Sequence, residues 1–234
     1  MPPATDRVMG VFHPHLEILP EGQREFWPRL RELPRWFTLY GGTALALRLG
    51  HRVSVDFDFF SSESFTEAEL RGLIPFAREA QVAQRSDNTF SLLLPEFHDV
   101  RVSFFGGLTL SRVSEPDMDD QGTVLVASLN DLAAMKLAVI TQRAAARDYV
   151  DLAAILHHGV DLTHALACAK AVYRHEFDPM LGLKALSYFG DVPELPKDTA
   201  NFLAITAAKV RNIPEVPAAA QRITPDSFRK ILKP

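Results

Sequence analysis

Leu39-Tyr40-Gly41-Gly42-Thr43 and, a short way downstream, Ser54-Val55-Asp56-Phe57-Asp58 are the two stretches on which the fold of this chain turns. The run from Trp36 to Tyr40 is β-rich and stops at the glycine pair. Thr43 is placed to cap a helix that reaches about Leu49 and closes at Gly50. Val53 to Phe60 then alternates, with Val53, Val55, Phe57 and Phe59 to one side and Ser54, Asp56 and Asp58 to the other. That period of two is the mark of a strand. A Gly-Gly pair alone is usually a turn, and an Asp-x-Asp alone is usually a solvated strand edge. Strand, Gly-Gly-Thr, helix, then strand with Asp-x-Asp is a much rarer order.

The chemistry suited to that order is phosphoryl or nucleotidyl transfer, which asks a protein for positioning and charge rather than for covalent participation. Aspartates at i and i+2 of a strand project from one face, so Asp56 and Asp58 can share a Mg²⁺ that keeps positions open for phosphate and water. Two glycines before a helix let backbone N–H groups approach a phosphate with no Cβ in the way, and the helix dipole favours the negative charge. Gly41, Gly42 and Thr43 are therefore the candidate cradle for the phosphates of an NTP. Ser54 shares the Asp-x-Asp face and is placed to touch substrate or metal water. Arg52 is a candidate phosphate contact or a strand anchor.

Outward from this motif, residues 20–33 read as a first helix, with Phe26, Leu30 and Leu33 at helical spacing. Thr66 to Glu69 opens another helix as a capping box. Strands follow near 81–86 and 89–94, split by a turn at Asp87-Asn88, and a further strand carries Val100, Val102 and Phe104. The stretch 114–122, with Pro116 and its aspartates, reads as a solvated loop. From Ser128 the period becomes helical, and breaks near 143–146, Gly159, Asp178-Pro179, 190–197 and 212–225 divide five or six helices, the last break reading as a surface linker. The expected class is α/β: a small mixed sheet flanked by helices over residues 1–127, then an α-helical bundle over 128–234.

Composition narrows the function. At 47% hydrophobic and 23% charged, the 234 residues can bury a full core. The single Cys168, in an apolar run, excludes an intramolecular disulfide and a multi-cysteine zinc site and reads as a buried, inert thiol. No apolar run approaches the length of a membrane span and the N-terminus has no signal-peptide character, so a soluble cytoplasmic protein is expected. A net charge of −4 argues against a broad surface that binds nucleic acid through phosphates alone. The charge is uneven: residues 1–127 hold 12 basic and 18 acidic side chains, 128–234 hold 13 and 11, and every lysine lies at or beyond position 136. Any RNA would meet the C-terminal half.

The chain resembles the nucleotidyltransferases of the AbiEii/AbiGii toxin group, part of type IV toxin–antitoxin and phage-abortive systems. The resemblance rests on Leu39-Tyr40-Gly41-Gly42-Thr43-Ala44-Leu45-Ala46-Leu47 and on Gly50 to Phe60, and continues in Lys136-Leu137-Ala138 and Arg147-Asp148-Tyr149-Val150-Asp151-Leu152. It implies a polymerase-β-like core followed by a helical domain, Mg²⁺ and an NTP, a tRNA or other RNA acceptor in some members, and a cognate antitoxin encoded nearby. Lys136, on the first helix of the second half, has an ammonium suited to a triphosphate, or is a snorkelling surface lysine. Asp148 and Asp151 share a helix face and form the last motif of the resemblance, with Asp148 the candidate base or metal helper.

One departure stands out. Enzymes of this kind commonly carry a third carboxylate on a neighbouring strand, and in Asp99-Val100-Arg101-Val102-Ser103-Phe104 the expected position holds Ser103. Asp99 substitutes, or Asp148 acts from the helical side, or catalysis is impaired. The expected reaction is transfer of a nucleotide from an NTP to an acceptor with release of pyrophosphate. The alternatives are a regulatory protein that binds nucleotide without turnover, and a metal-dependent phosphohydrolase.

Overall fold

The structure is a computed structural model in which residues 9–228 are described. Two compact units divide the chain. The first comprises the described residues up to Thr109, then Glu115–Ser128, then the described residues from Arg222 to Phe228; the second comprises Leu110–Ser114 and Leu129–Gln221.

The first unit is a mixed sheet of eight strands: β1 (Val11–Phe12), β2 (Thr38–Tyr40), β3 (Asp56–Phe60), β4 (Gln81–Ser86), β5 (Thr89–Leu94), β6 (Val100–Phe105), β7 (Asp117–Asp119) and β8 (Leu125–Val126). Their order is β1-β7-β8-β2-β3-β6-β5-β4. Strand β3 lies at the centre, antiparallel to β2 and parallel to β6. Helices α1 (Glu21–Phe26), α2 (Gly41–Leu49) and α3 (Glu67–Leu73) complete the unit, so the class is α/β as expected.

Alternation decides which face of the sheet is core. Phe57 and Phe59 of β3, Phe90 and Leu92 of β5, and Val102 and Phe104 of β6 are buried. Phe26 packs edge-on against Phe76 at 5.0 Å and tilts against Phe57 at 6.2 Å, while Phe37 lies 5.1 Å from Phe104. Each such side chain contributes roughly 1.5–3 kcal/mol by leaving water. The alternate residues, Asp56, Asp58, Arg101 and Ser103, are thereby turned to the opposite face.

The structure departs from the sequence reading in four places. The helix expected over 20–33 is α-helical only through Phe26 and continues as a 3₁₀ helix over Trp27–Glu32. Pro28, which has no N–H and crowds the preceding turn, accounts for the change. The strand expected from Val53 begins at Asp56, and Val53 and Val55 are exposed at 56% and 58%. The β6 ladder starts at the Asp56–Arg101 pair and β2 reaches only to the Tyr40–Asp58 pair, so no neighbour extends the sheet to them. The expected loop at 114–122 contains β7. Asp119 is buried there, accepting from the N–H groups of Gln121, Thr123 and Val124 at 3.0, 2.6 and 2.7 Å, and Asp117 pairs with Arg48, whose side chain is 8% exposed, at 2.7 Å. Finally, the expected surface linker ends in an anchor. The Thr224 hydroxyl is buried, donates to the Trp36 carbonyl at 3.1 Å and accepts from the Ser62 N–H at 3.0 Å.

The second unit contains α4 (Leu129–Ile140), α5 (Ala146–His157), α6 (Leu162–Tyr173), α7 (Pro179–Ala185) and α8 (Lys197–Lys209). Helix α4 is central and packs on α5, α6 and α7, while α5 packs on α8. Its alanines 133, 134 and 138 permit that close approach and are buried. Asp131 of α4 accepts from the N–H groups of Val113 and Ser114 at 2.8 and 3.2 Å, which draws the short 110–114 segment into this unit. His157, in the last turn of α5, stacks on Phe202 of α8 at 3.8 Å.

Candidate active site

In the first unit, α2 starts at the end of β2 and its N-cap Tyr40 supplies no side-chain hydrogen bond to the helix. Gly41 has φ +77°, a left-handed backbone that favours glycine, and a Cβ built there would lie 2.8 Å from Oδ2 of Asp58. The start of the helix is thus packed directly against the second carboxylate of the Asp-x-Asp pair. A Cβ on Gly42 would meet Nη2 of Arg52 and Oγ of Ser54, each at 2.8 Å. Gly41, Gly42, Arg52, Ser54 and Asp58 therefore converge on one spot, although the residues that converge are split between a helix start, a loop and a strand.

Thr43 is the third residue of α2 rather than its cap. It is fully buried, and its hydroxyl donates to the carbonyl of Asp56. Its side chain fastens the helix to β3, which leaves only its backbone N–H to serve a phosphate.

Asp56 and Asp58 stand two apart on β3, opposite Arg101 and Ser103 of β6 in the ladder. The Arg101 guanidinium lies 3.8 Å from the Asp56 carboxylate, and both side chains are about half exposed. Ser103 is buried and its hydroxyl accepts from Oγ of Ser91 on β5 at 2.9 Å. Asp99, the candidate substitute, is exposed at a left-handed position ahead of β6, outside the ladder. Two carboxylates on one strand face, both accessible, form the donor set magnesium uses when phosphate oxygens and water complete its shell. The residues present fit that ion. Among the described residues no cluster of three or more histidine, cysteine, aspartate or glutamate side chains occurs.

Lys136, Asp148 and Asp151 come together in the second unit. Lys136 on α4 has a side chain only 6% exposed, and its ammonium donates to Asp148 at 2.7 Å and pairs with Asp151 at 2.6 Å; both carboxylates, on α5, are fully buried. The other Asp148 oxygen accepts from Arg143 at 3.0 Å. Lys136 is therefore not a surface lysine. Both oxygens of Asp148 already accept from cations, which suits holding the lysine better than taking a proton. Arg143 also lines, with Tyr149, Lys184, Tyr188 and Asp191, a cavity of about 300 Å³. Burial, together with Asp191 and Asp148, pushes the Tyr149 phenol up, so it stays a donor at neutral pH. Cys168 is buried, and burial pushes its thiol up to about 11, the environment of an inert cysteine.

Arg101 is a residue of this site to which the sequence reading gave no role. The alternation of 99, 101 and 103 was the available signal; the pairing register of β6 on β3, which brings Arg101 to Asp56, was not.

Among the described residues no helix is long and apolar enough to cross a membrane. A protein of unknown role from Aquifex aeolicus (strain VF5) is 32% identical over 161 residues, which is 68% of this chain and 76% of that protein. The crystal structure of a presumed nucleotidyltransferase from H. pylori superposes with a TM-score of 0.51 at 18% identity, covering 80% of this chain and 90% of its own, and so shares the fold. MenT4, a nucleotidyltransferase toxin from Mycobacterium tuberculosis H37Rv, gives a TM-score of 0.47 at 19% identity over 79% of this chain and 91% of its own. The family described as nucleotidyl transferase AbiEii toxin, type IV TA system, matches residues 29–233, a span that takes in the Gly-Gly-Thr helix, the Asp-x-Asp strand and the buried lysine cluster alike. The chain belongs to the AbiEii nucleotidyltransferase toxin family.

Proposed function

We propose that this protein transfers a nucleotide from an NTP to an RNA acceptor such as tRNA, with release of pyrophosphate, and that it acts as the toxin partner of a cognate antitoxin. Residues 1–127 form its nucleotidyltransferase core and 128–234 its helical domain, with 110–114 and the chain from Arg222 exchanged between the compact units. The observation that carries this reading is the Asp56–Asp58 pair, with the backbone of Gly41 packed against the Asp58 carboxylate.

In this reading Asp56 and Asp58 hold Mg²⁺, which when bound neutralises charge on the phosphate oxygens. The N–H groups of Gly41, Gly42 and Thr43 cradle the phosphates, and Arg52 and Ser54 bound the same space. Within the helical unit, Asp148 and Asp151 together hold the Lys136 ammonium. The acceptor hydroxyl oxygen forms a bond to the α-phosphorus as the bond to the β-phosphate oxygen breaks, and the hydroxyl proton leaves to solvent. The cations Arg143 and Lys184 beside the exposed Tyr188 favour an RNA acceptor meeting the helical unit, since phosphate attracts cations and bases stack on aromatic rings.

Incubation with each labelled NTP, Mg²⁺ and total tRNA tests this directly. Labelled RNA and released pyrophosphate are expected from the wild type, and neither from Asp56→Ala or Asp58→Ala. Turnover in those variants equal to wild type rules out the site. Ser103 in place of a carboxylate favours a second reading, nucleotide binding without turnover, which predicts saturable NTP binding and no pyrophosphate. Release of inorganic phosphate in place of pyrophosphate would identify a phosphohydrolase.

A further inference from the structure

The register between β3 and β6 assigns four side chains to one patch of sheet, Asp56 opposite Arg101 and Asp58 opposite Ser103. A carboxylate at either β6 position would stand beside the aspartate pair and complete a site for two divalent ions. The chain instead presents a hydroxyl and a guanidinium. Ser103 is 5% exposed and its oxygen accepts from Ser91, so it is held sideways within the sheet. Arg101 differs: its Nε lies 3.8 Å from Oδ1 of Asp56, beyond hydrogen-bonding distance, and 48% of the side chain is exposed. Asp56 keeps the guanidinium near the pair without bonding it closely.

Resting on the nucleotide-transfer reading, we infer that this site binds a single divalent cation and that Arg101 supplies the second positive charge, contacting the oxygens of the transferred phosphate. The charge balance supports one ion. Two aspartates offset one divalent cation, whereas a second would lie beside the like charge of Arg101, and among the described residues no third carboxylate joins the cluster. The planar guanidinium matches the geometry of phosphate oxygens, so it can take the place of an ion without adding a metal equilibrium. Its loose contact with Asp56 leaves it able to turn toward an arriving phosphate.

The test counts ions. Mn²⁺ binding to the full chain is followed by electron paramagnetic resonance, alone and with a non-hydrolysable α,β-methylene NTP. One Mn²⁺ per wild-type chain is expected in both states. Arg101→Gln should still bind one Mn²⁺, as a half-exposed side chain is not needed for the fold, but should bind the analogue about tenfold or more weakly by calorimetry. Arg101→Lys should recover part of that loss. Two Mn²⁺ per chain in a wild type that turns over NTP overturns this inference alone, as does an Arg101→Gln that binds the analogue like wild type. A wild type that binds neither Mn²⁺ nor the analogue overturns it together with the reading on which it rests.

Discussion

Replacing Lys136 by Met keeps the aliphatic stem and deletes the ammonium that sits between two fully buried carboxylates. Asp148 retains Arg143 at 3.0 Å, but Asp151 loses the cation 2.6 Å away. Breaking a buried ion pair from one side costs about 3–5 kcal/mol, because the buried carboxylates lose the ammonium that offsets the cost of their burial. For a chain of this length that corresponds to a fall in Tm of roughly 6–20 °C. The sign of the pH dependence follows. A buried carboxylate deprived of its cation is harder to ionise folded than unfolded, so the folded variant binds more protons. Its stability should therefore rise as pH falls from about 7 towards the ordinary carboxylate range, where the unfolded chain catches up. Adding Asp151→Asn should return part of that loss by removing one of the two buried negative charges. Denaturant melts of wild type, single and double variants at about pH 7 and pH 5 read both effects. A Lys136→Met protein within about 1 kcal/mol of wild type at both pH values would refute the account of this cluster.

Three further outcomes follow from the same geometry. Gly42→Val puts branched carbon where Arg52 and Ser54 converge, so NTP affinity measured by calorimetry should fall about tenfold or more; unchanged affinity would remove the cradle. Thr43→Val keeps the shape but deletes the hydroxyl on the Asp56 carbonyl, and should lower stability by about 1 kcal/mol and metal affinity with it, while Thr43→Ser recovers both. Asp119→Ala leaves the N–H groups of Thr123 and Val124 without their carboxylate acceptor in a buried turn, costing on the order of 3 kcal/mol with no effect on the chemistry of whatever remains folded.

The parts of the fold legible in the sequence were those governed by short-range periodicity. Alternation through Phe57, Asp58 and Phe59 distinguishes core from site face without reference to any other strand, and the Thr66–Glu69 capping box forms as written. Val53 and Val55 continue the same alternation yet lie outside the strand, because strand length is set by neighbours that stop short of them. Asp119 is a polar residue in a proline-containing stretch, and only the turn that brings three N–H groups to its carboxylate makes it a buried one. Within the candidate site, the i, i+3 spacing puts Asp148 and Asp151 on one face of α5. That both meet Lys136, on the preceding helix, depends on the packing of α4 against α5, which no local pattern encodes.

The interleaving of the two compact units bears on when the sheet can become whole during synthesis. The buried hydroxyl of Thr224 bonds Trp36 and Ser62, and Arg222 pairs with Glu63 at 2.6 Å, so the first unit draws on residues made after the whole of Leu129–Gln221. At roughly 5–20 residues per second, a ribosome takes on the order of 5–20 s to cross that interval. Over that time the Gly-Gly-Thr helix and the Asp-x-Asp strand exist on a sheet still missing its last anchors, while the helical segment is only beginning to emerge. Assembly of the first unit is therefore gated by translation of the second.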